Sequence, residues 1–165
     1  MITSLINSTS NQNLIIYGPK KPINSVKRLV VAVPQMAELE VGFDVWFDRI
    51  KNIASQLSIP VVFYANKNTT IALKKQCEIH SSLNVSFREL ASWEDFLIIS
   101  KHIKHGDTLI VITARKATLS YNNLFEKIPY YLNKYFTDNN FLLIYPRQTA
   151  PDGTDNDIYN PLKIS

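Results

Sequence analysis

The chain has 165 residues, of which 45% are apolar and 19% are charged, and its formal net charge is +4. This length fits one domain with short extensions, and the composition is that of an ordinary globular protein. Cys77 is the single cysteine, which excludes an internal disulfide and suits a reducing compartment. No apolar run approaches the roughly 18–20 residues of a membrane span, and the first residues lack the pattern of a secretory signal. We therefore expect a soluble, cytoplasmic domain, which can still be a piece of a larger membrane protein.

Positive charges are dispersed along the chain apart from one cluster, Lys20, Lys21, Lys27 and Arg28, which precedes the first predicted core strand. Such a cluster can meet anionic lipid head groups or nucleic acid. No motif of interleaved aromatic and basic residues accompanies it, so we do not expect nucleic acid as a partner.

Apolar strand-like runs alternate with helical patterns along the chain. The predicted strands are Arg28–Val33, Pro60–Tyr64, Asn84–Phe87, Thr108–Thr113 and Phe141–Tyr145. The predicted helices are Gly42–Leu57, Thr69–Ile79, a third that Ser92 caps and Gly106 ends, and a fourth over Phe125–Phe136 whose regular part starts near Lys127 because of Pro129. This alternation predicts an α/β fold: a three-layer α/β/α sandwich around a five-stranded, mostly parallel sheet.

A short repeat relates the beginning of the chain to its last strand. Asn11–Pro19 (NQNLIIYGP) resembles Asn139–Pro146 (NNFLLIYP): in both, asparagines precede an apolar run that ends in Ile-Tyr and is followed by proline. Coincidence is one interpretation. The other is that residues 1–27 hold the end of a preceding repeat, with its strand at 13–17, plus a linker, before a domain over 28–148 and a polar tail over 149–165. Leu14–Tyr17 should then pair on a sheet edge, because an unpaired apolar strand promotes aggregation.

The turn after the fourth predicted core strand lies where open α/β sheets bind ligands. A nucleotide site would need glycines there, so that backbone N–H groups can close on phosphate. This turn has none. It has cationic and hydroxyl side chains, and polar side chains leave the first two core strands at the same edge. We predict an anion or ligand crevice formed by Pro34, Gln35, Asn66, Arg115, Lys116, Thr118, Ser120 and Tyr121. The alternative is a solvated loop in which Arg115 pairs with a carboxylate and the other groups cap helices and turns.

The remaining titratable groups do not predict catalysis. Glu38, Glu40, Asp44 and Asp48 crowd the start of the first helix, where negative charge is favourable. They have no nucleophile or metal partner in the sequence. His102 and His105 are too few for a metal site, so we predict neither a metal nor an enzyme.

The order of elements resembles the universal stress protein fold, an adenine nucleotide alpha hydrolase-like architecture. The stretches RLVVAVPQMAELEVGFDVWF, PVVFYANKNT, DTLIVITARKATLSY and NFLLIYPRQ are similar to the cytosolic C-terminal region of bacterial monovalent cation:proton antiporters, including sodium/proton antiporters. The specific part is P-x-x-A-E-L-E-x-G-F over Pro34–Phe43 and A-R-K-x-x-x-S-Y over Ala114–Tyr121, and the likeness covers Ile23–Gln148. In those proteins a membrane transport domain precedes universal-stress-like repeats.

The resemblance implies a non-catalytic regulatory domain on the cytoplasmic side of the bacterial inner membrane, which senses a ligand or couples subunits. Its partners would be the transmembrane transport domain of the same parent and a second copy in a homodimer. Related folds dimerise through their final strand. The implied interface is Leu14, Ile15, Ile16, Tyr17, Phe141, Leu142, Leu143, Ile144 and Tyr145, with the N-terminal strand able to take the place of the second copy.

A free-standing universal stress protein that binds ATP or another nucleotide is the alternative function. Nucleotide-binding members carry an Asp at the end of the first strand and G-x-x-G followed by G-S/T after the fourth. Here the first place falls near Val33–Pro34, with no Asp, and the second falls in Ala114–Ser120 and near Glu126–Lys127, with no glycine. We therefore expect no cofactor. A nucleotidyl transferase of related fold would need a signature such as H-x-G-H, which the chain lacks.

Overall fold

The structure, a computed structural model, describes residues 12–79 and 83–147. Its strands are β1 (Leu14–Gly18), β2 (Arg28–Ala32), β3 (Val61–Ala65), β4 (Val85–Glu89), β5 (Asp107–Ile112) and β6 (Asn140–Tyr145). Its α-helices are α1 (Phe43–Leu57), α2 (Lys67–Ile79), α3 (Ile99–His102) and α4 (Ile128–Tyr135), with 3₁₀ segments at Ile23–Ser25, Ala37–Leu39, Trp93–Ile98 and Asn123–Lys127. None of these helices combines the length and apolar character that a membrane crossing needs.

All six strands belong to one sheet in the order β1-β6-β5-β2-β3-β4. The strands from β2 to β6 are parallel, as predicted, whereas β1 is antiparallel to β6, with Leu14 opposite Tyr145 and Gly18 opposite Phe141. The prediction of five strands is therefore wrong by one, because the apolar N-terminal run supplies backbone N–H and C=O groups to the edge of β6. The prediction that Leu14–Tyr17 pairs on a sheet edge is confirmed.

Helices cover both faces of the sheet. Both faces carry apolar side chains, because successive residues of a strand point to opposite sides. Val31 and Phe63 pack with Trp46 and Phe47 of α1 on one face, together with Leu73 of α2. The opposite face packs against the other two helices and their 3₁₀ segments through Val30, Val111, Trp93, Phe96, Ile128 and Leu132. Every residue of β3 and β5 is buried, which explains their continuous apolar sequence.

The third helix differs most from its prediction. Ser92 does cap it, since its Oγ accepts a hydrogen bond from the Glu94 N–H at 3.3 Å. The first six residues are 3₁₀, however, and the α-helical turn ends at His102 because Ile103 is extended. Pro129 lies in the first turn of α4, where the missing N–H costs nothing, after a 3₁₀ segment.

Candidate functional site

The loops that follow β2 and β5, residues 33–42 and 113–122, meet at the carboxyl end of the sheet because these two strands are neighbours. Glu40 of the first loop reaches Ser120 of the second. Its Oε1 accepts one hydrogen bond from the Ser120 backbone N–H and one from Ser120 Oγ, both at 2.8 Å. The two sequence motifs that carry the family resemblance are thus bonded to each other.

Arg115 is buried at the same end of the sheet, with 4% of its surface exposed. Its Nε donates to the carbonyl oxygen of Pro146 at 3.0 Å, and its Nη2 donates to the carbonyl oxygens of Gln12 at 2.9 Å and Tyr145 at 3.5 Å. Burial lowers the pKa of the guanidinium from its usual value. The side chain therefore ties the end of β6 to the residue that precedes β1, with its donors directed at the chain's own carbonyls.

A small recess remains between these groups. It is lined by Glu40, Thr113, Ala114, Arg115, Thr118, Ser120, Pro146 and Arg147 and has a volume of about 10 Å³. That is room for about one water molecule, whereas sites for small organic ligands occupy about 300–1,000 Å³. The chain itself therefore closes the predicted ligand edge at the carboxyl ends of β2 and β5, whereas a groove of about 440 Å³ lies at the carboxyl ends of β3 and β4.

Lys116 and Tyr121, two further members of the predicted crevice, meet outside the recess. Lys116 Nζ lies 3.2 Å from Glu126 Oε1, and Tyr121 Oη donates to the same oxygen at 3.1 Å. The hydrogen bond from Lys116, followed by the one from Tyr121, lowers the pKa of the Glu126 carboxyl. Because Lys116 and Glu126 are both exposed, this is a surface interaction of small energy.

Pro34, Gln35 and Asn66 do not join the recess. Gln35 Nε2 donates to the carbonyl oxygen of Ala91 at 2.6 Å, and Asn66 Oδ1 accepts from the Thr69 N–H at 2.9 Å at the start of α2. Pro34 is buried. These contacts match the alternative interpretation of turn and cap chemistry. Thr118 does line the recess, and its Oγ1 donates to the Arg115 carbonyl oxygen at 2.7 Å.

Both loops hold backbone in an unusual conformation. Met36 and Ala117 have φ angles of 63° and 70°, in the left-handed region that costs an L-residue about 1–2 kcal/mol. Gly42 ends the first loop where there is no space for a side chain, because an added Cβ would lie 2.7 Å from Pro146 Cβ. Strain of this kind persists only where surrounding contacts fix the chain, and the Glu40–Ser120 and Arg115 bonds are such contacts.

Sequence reasoning missed Glu40 as a member of this site. It assigned the residue to the start of the first helix, whereas its carboxylate is bonded across to the other loop. The available signal was its place in P-x-x-A-E-L-E-x-G-F, in a loop that the parallel order sets beside A-R-K-x-x-x-S-Y.

The predicted interface divides between two strands of different exposure. β6 is paired on both sides, by β5 and β1, so the backbone edge of Phe141–Tyr145 is occupied. Ile15 and Tyr17 of β1 are 39% and 45% exposed. A homodimer remains a prediction. Of the two edge strands, β1 and β4, β1 is the one that belongs to the predicted interface.

Comparison of the chain with family models, with curated proteins and with solved structures gave no match.

Proposed function

We propose that the chain is a non-catalytic regulatory domain of a cation:proton antiporter, with a universal-stress-like fold, that acts through contacts with the rest of the transporter. The closed recess at the carboxyl ends of β2 and β5 is the observation that carries this proposal. The antiporter assignment itself rests on the sequence resemblance.

The closed recess matters for function because domains of this architecture bind their ligands in the crevice at the carboxyl end of the sheet. Here the groups that could bind an anion already have partners within the chain. Ser120 donates twice to the Glu40 carboxylate, and Arg115 donates to backbone carbonyls. An entering phosphate would have to displace a carboxylate of the same charge. The geometry thus favours coupling through protein contacts over the alternative of a free-standing nucleotide-binding protein.

A regulatory domain changes transport only if it interacts differently with two states of the transporter. The outer edge of β1 is suited to such an interaction, because Ile15 and Tyr17 are exposed on a strand with one unpaired side. Contact along this edge could form with a second copy or with the transport domain in one state and be lost in the other.

The test is cation-driven proton exchange in everted membrane vesicles, measured with a pH-sensitive dye, for the exchanger encoded with this chain. We expect removal of the domain to shift the pH profile or the maximal rate. Ile15→Lys/Tyr17→Lys should shift the same property in the same direction. Ile71→Lys/Ile79→Lys, which alters two apolar and even more exposed positions on α2, should not. Identical exchange with and without the domain would refute the regulatory proposal.

A further inference from the structure

The opposite, amino end of the sheet gathers the basic residues of two separate segments. Asn140, at the start of β6, holds the first segment. Its Oδ1 accepts from the backbone N–H groups of Lys20 and Lys21 at 2.6 and 2.7 Å, and its Nδ2 donates to the Lys21 carbonyl oxygen at 3.0 Å. Because Asn140 is itself buried, it fixes both lysines at this end.

The second basic segment, residues 101–106, lies against the first. The Lys27 N–H donates to the Gly106 carbonyl oxygen at 2.8 Å, and Lys21 Nζ lies 2.8 Å from His105 Nδ1. Gly106 has a φ of +90°, and a Cβ there would lie 3.1 Å from the Lys27 side chain. We call the resulting surface the basic face and define it by the exposed or half-buried side chains of Lys20, Lys21, Lys27, Lys101, His102, Lys104 and His105.

Little negative charge offsets the basic face among the described residues. Asp107 is buried at this end, where its carboxylate binds the Arg28 guanidinium and also accepts from the Lys104 N–H at 2.7 Å. Asp138, in the turn before β6, is an exposed carboxylate nearby in the chain. Four lysines of the basic face are therefore exposed and Lys21 is half-buried against His105.

Apolar side chains lie within this positive surface. Ile23 stands between Lys21 and Lys27 and is 61% exposed. With the exposed Tyr17 it lines an apolar groove of about 130 Å³, whose other walls include Val26, Ile53 and Leu57. Lysines around an exposed isoleucine and tyrosine form the combination that the boundary between lipid head groups and acyl chains accommodates.

We infer that the basic face binds the surface of an anionic lipid bilayer, with its lysines over the head groups and with Ile23 and Tyr17 entering the boundary region. The phosphates of a nucleic acid could pair with the lysines, but a nucleic acid offers Ile23 no comparable apolar region. An anionic bilayer offers both negative charge for the lysines and an apolar region for Ile23. Binding of lipid through these side chains does not depend on the proposed function.

The experiment is flotation of the purified chain with vesicles of phosphatidylcholine alone or with about one-third phosphatidylglycerol, which supplies the negative surface potential. We expect partition into the anionic vesicles only, weakening as salt shortens the screening length. Each lysine near such a surface contributes about fivefold in affinity. Lys20→Gln/Lys21→Gln/Lys27→Gln/Lys104→Gln should therefore lower partition by on the order of a hundredfold or more.

A matched variant removes the same charge elsewhere: Arg49→Gln/Lys67→Gln/Lys75→Gln/Lys127→Gln, all exposed positions outside the basic face. We expect it to keep partition within about threefold of the unaltered chain, because its changes leave the lysines near the surface in place. Ile23→Ser should weaken partition without changing its salt dependence, since it removes apolar contact alone.

Three outcomes would overturn the inference. The first is no binding to anionic vesicles. The second is an equal loss in the two four-residue variants, which would indicate an effect of net charge alone. The third is binding to a short DNA duplex that depends on the basic-face lysines, together with no binding to vesicles.

Discussion

At the carboxyl end of the sheet, Arg115 and Glu40 are bonded to other groups of the chain, whereas at the amino end most lysines of the basic face are exposed. The sheet's topology marks the first of these ends as the place for a ligand. The hydrogen bonds argue against a ligand at the carboxyl end, because a donor that already has a buried acceptor gains little from an external anion. A site must therefore be judged by the partners of its polar groups as well as by its position in the fold.

The largest effect is expected from Arg115→Ala, which would leave the carbonyl oxygens of Pro146, Gln12 and Tyr145 without this donor and would open a cavity. We predict a loss of about 3 kcal/mol in the free energy of unfolding, measured by urea denaturation. Lys116→Ala, at the exposed neighbouring position, should cost less than about 1 kcal/mol. Equal losses in the two variants would contradict the closing role of Arg115.

Asp107→Asn tests a strongly paired carboxylate of the amino end. It weakens the two-point interaction with Arg28, a charge-assisted pair that is partly buried. We predict a loss of about 2 kcal/mol in unfolding free energy. Asp48→Asn, which alters a carboxylate 3.7 Å from Lys51 on the surface of α1, should change it by less than about 0.5 kcal/mol. A similar small change at both positions would mean that Asp107 does not fix this end.

Glu40→Ala removes the internal anion from the carboxyl end. The Ser120 N–H and hydroxyl lose their acceptor, and we predict a loss of about 1–2 kcal/mol. Phosphate should then raise the melting temperature of this variant more than that of the unaltered chain. Glu38→Ala is the control, because Glu38 also accepts a hydrogen bond, from Thr69 Oγ1 at 2.7 Å, outside the recess. An identical phosphate effect in all three proteins would show that Glu40 does not occupy an anion position.

A smaller effect is expected at alkaline pH. Burial raises the pKa of Tyr64 and of Tyr145 above the usual 10.0. The unfolded chain therefore loses these phenolic protons at lower pH than the folded chain, so their contribution is complete below about pH 10 and falls as pH rises. We predict a decline of less than about 1 kcal/mol between about pH 10 and 11, measured by urea denaturation. Tyr64→Phe/Tyr145→Phe should reduce this decline in unfolding free energy. An unchanged decline would contradict its assignment to these two tyrosines.

The sequence predicted the fold well where periodicity is strong. The five core strands, the long helix α1 and the edge position of Leu14–Tyr17 all follow from apolar patterns. It overestimated the third helix, because the extended Ile103 and the bond from the Lys104 N–H to Asp107 are set by residues farther along the chain. Capping patterns carry no information about such partners.

The candidate site was harder to predict than the fold. Sequence position placed Arg115, Thr118 and Ser120 at the correct edge, and the recess contains all three. It gave no means of choosing between an external anion and an internal partner for them. That choice depends on contacts such as Glu40 with Ser120, 80 residues away, and Arg115 with Pro146.

A thermal-shift titration of the unaltered chain with ATP, ADP, AMP and cyclic nucleotides tests the closed carboxyl end most directly. A nucleotide with a dissociation constant of about 10 μM, present at about 1 mM, would stabilise the chain by about 2.7 kcal/mol. That corresponds to roughly 5–10 °C in melting temperature for a protein of this size. We predict no saturable shift with any of these nucleotides. A saturable shift of that size, lost in Arg115→Lys or Ser120→Ala, would contradict the account and restore a nucleotide site at this end of the sheet.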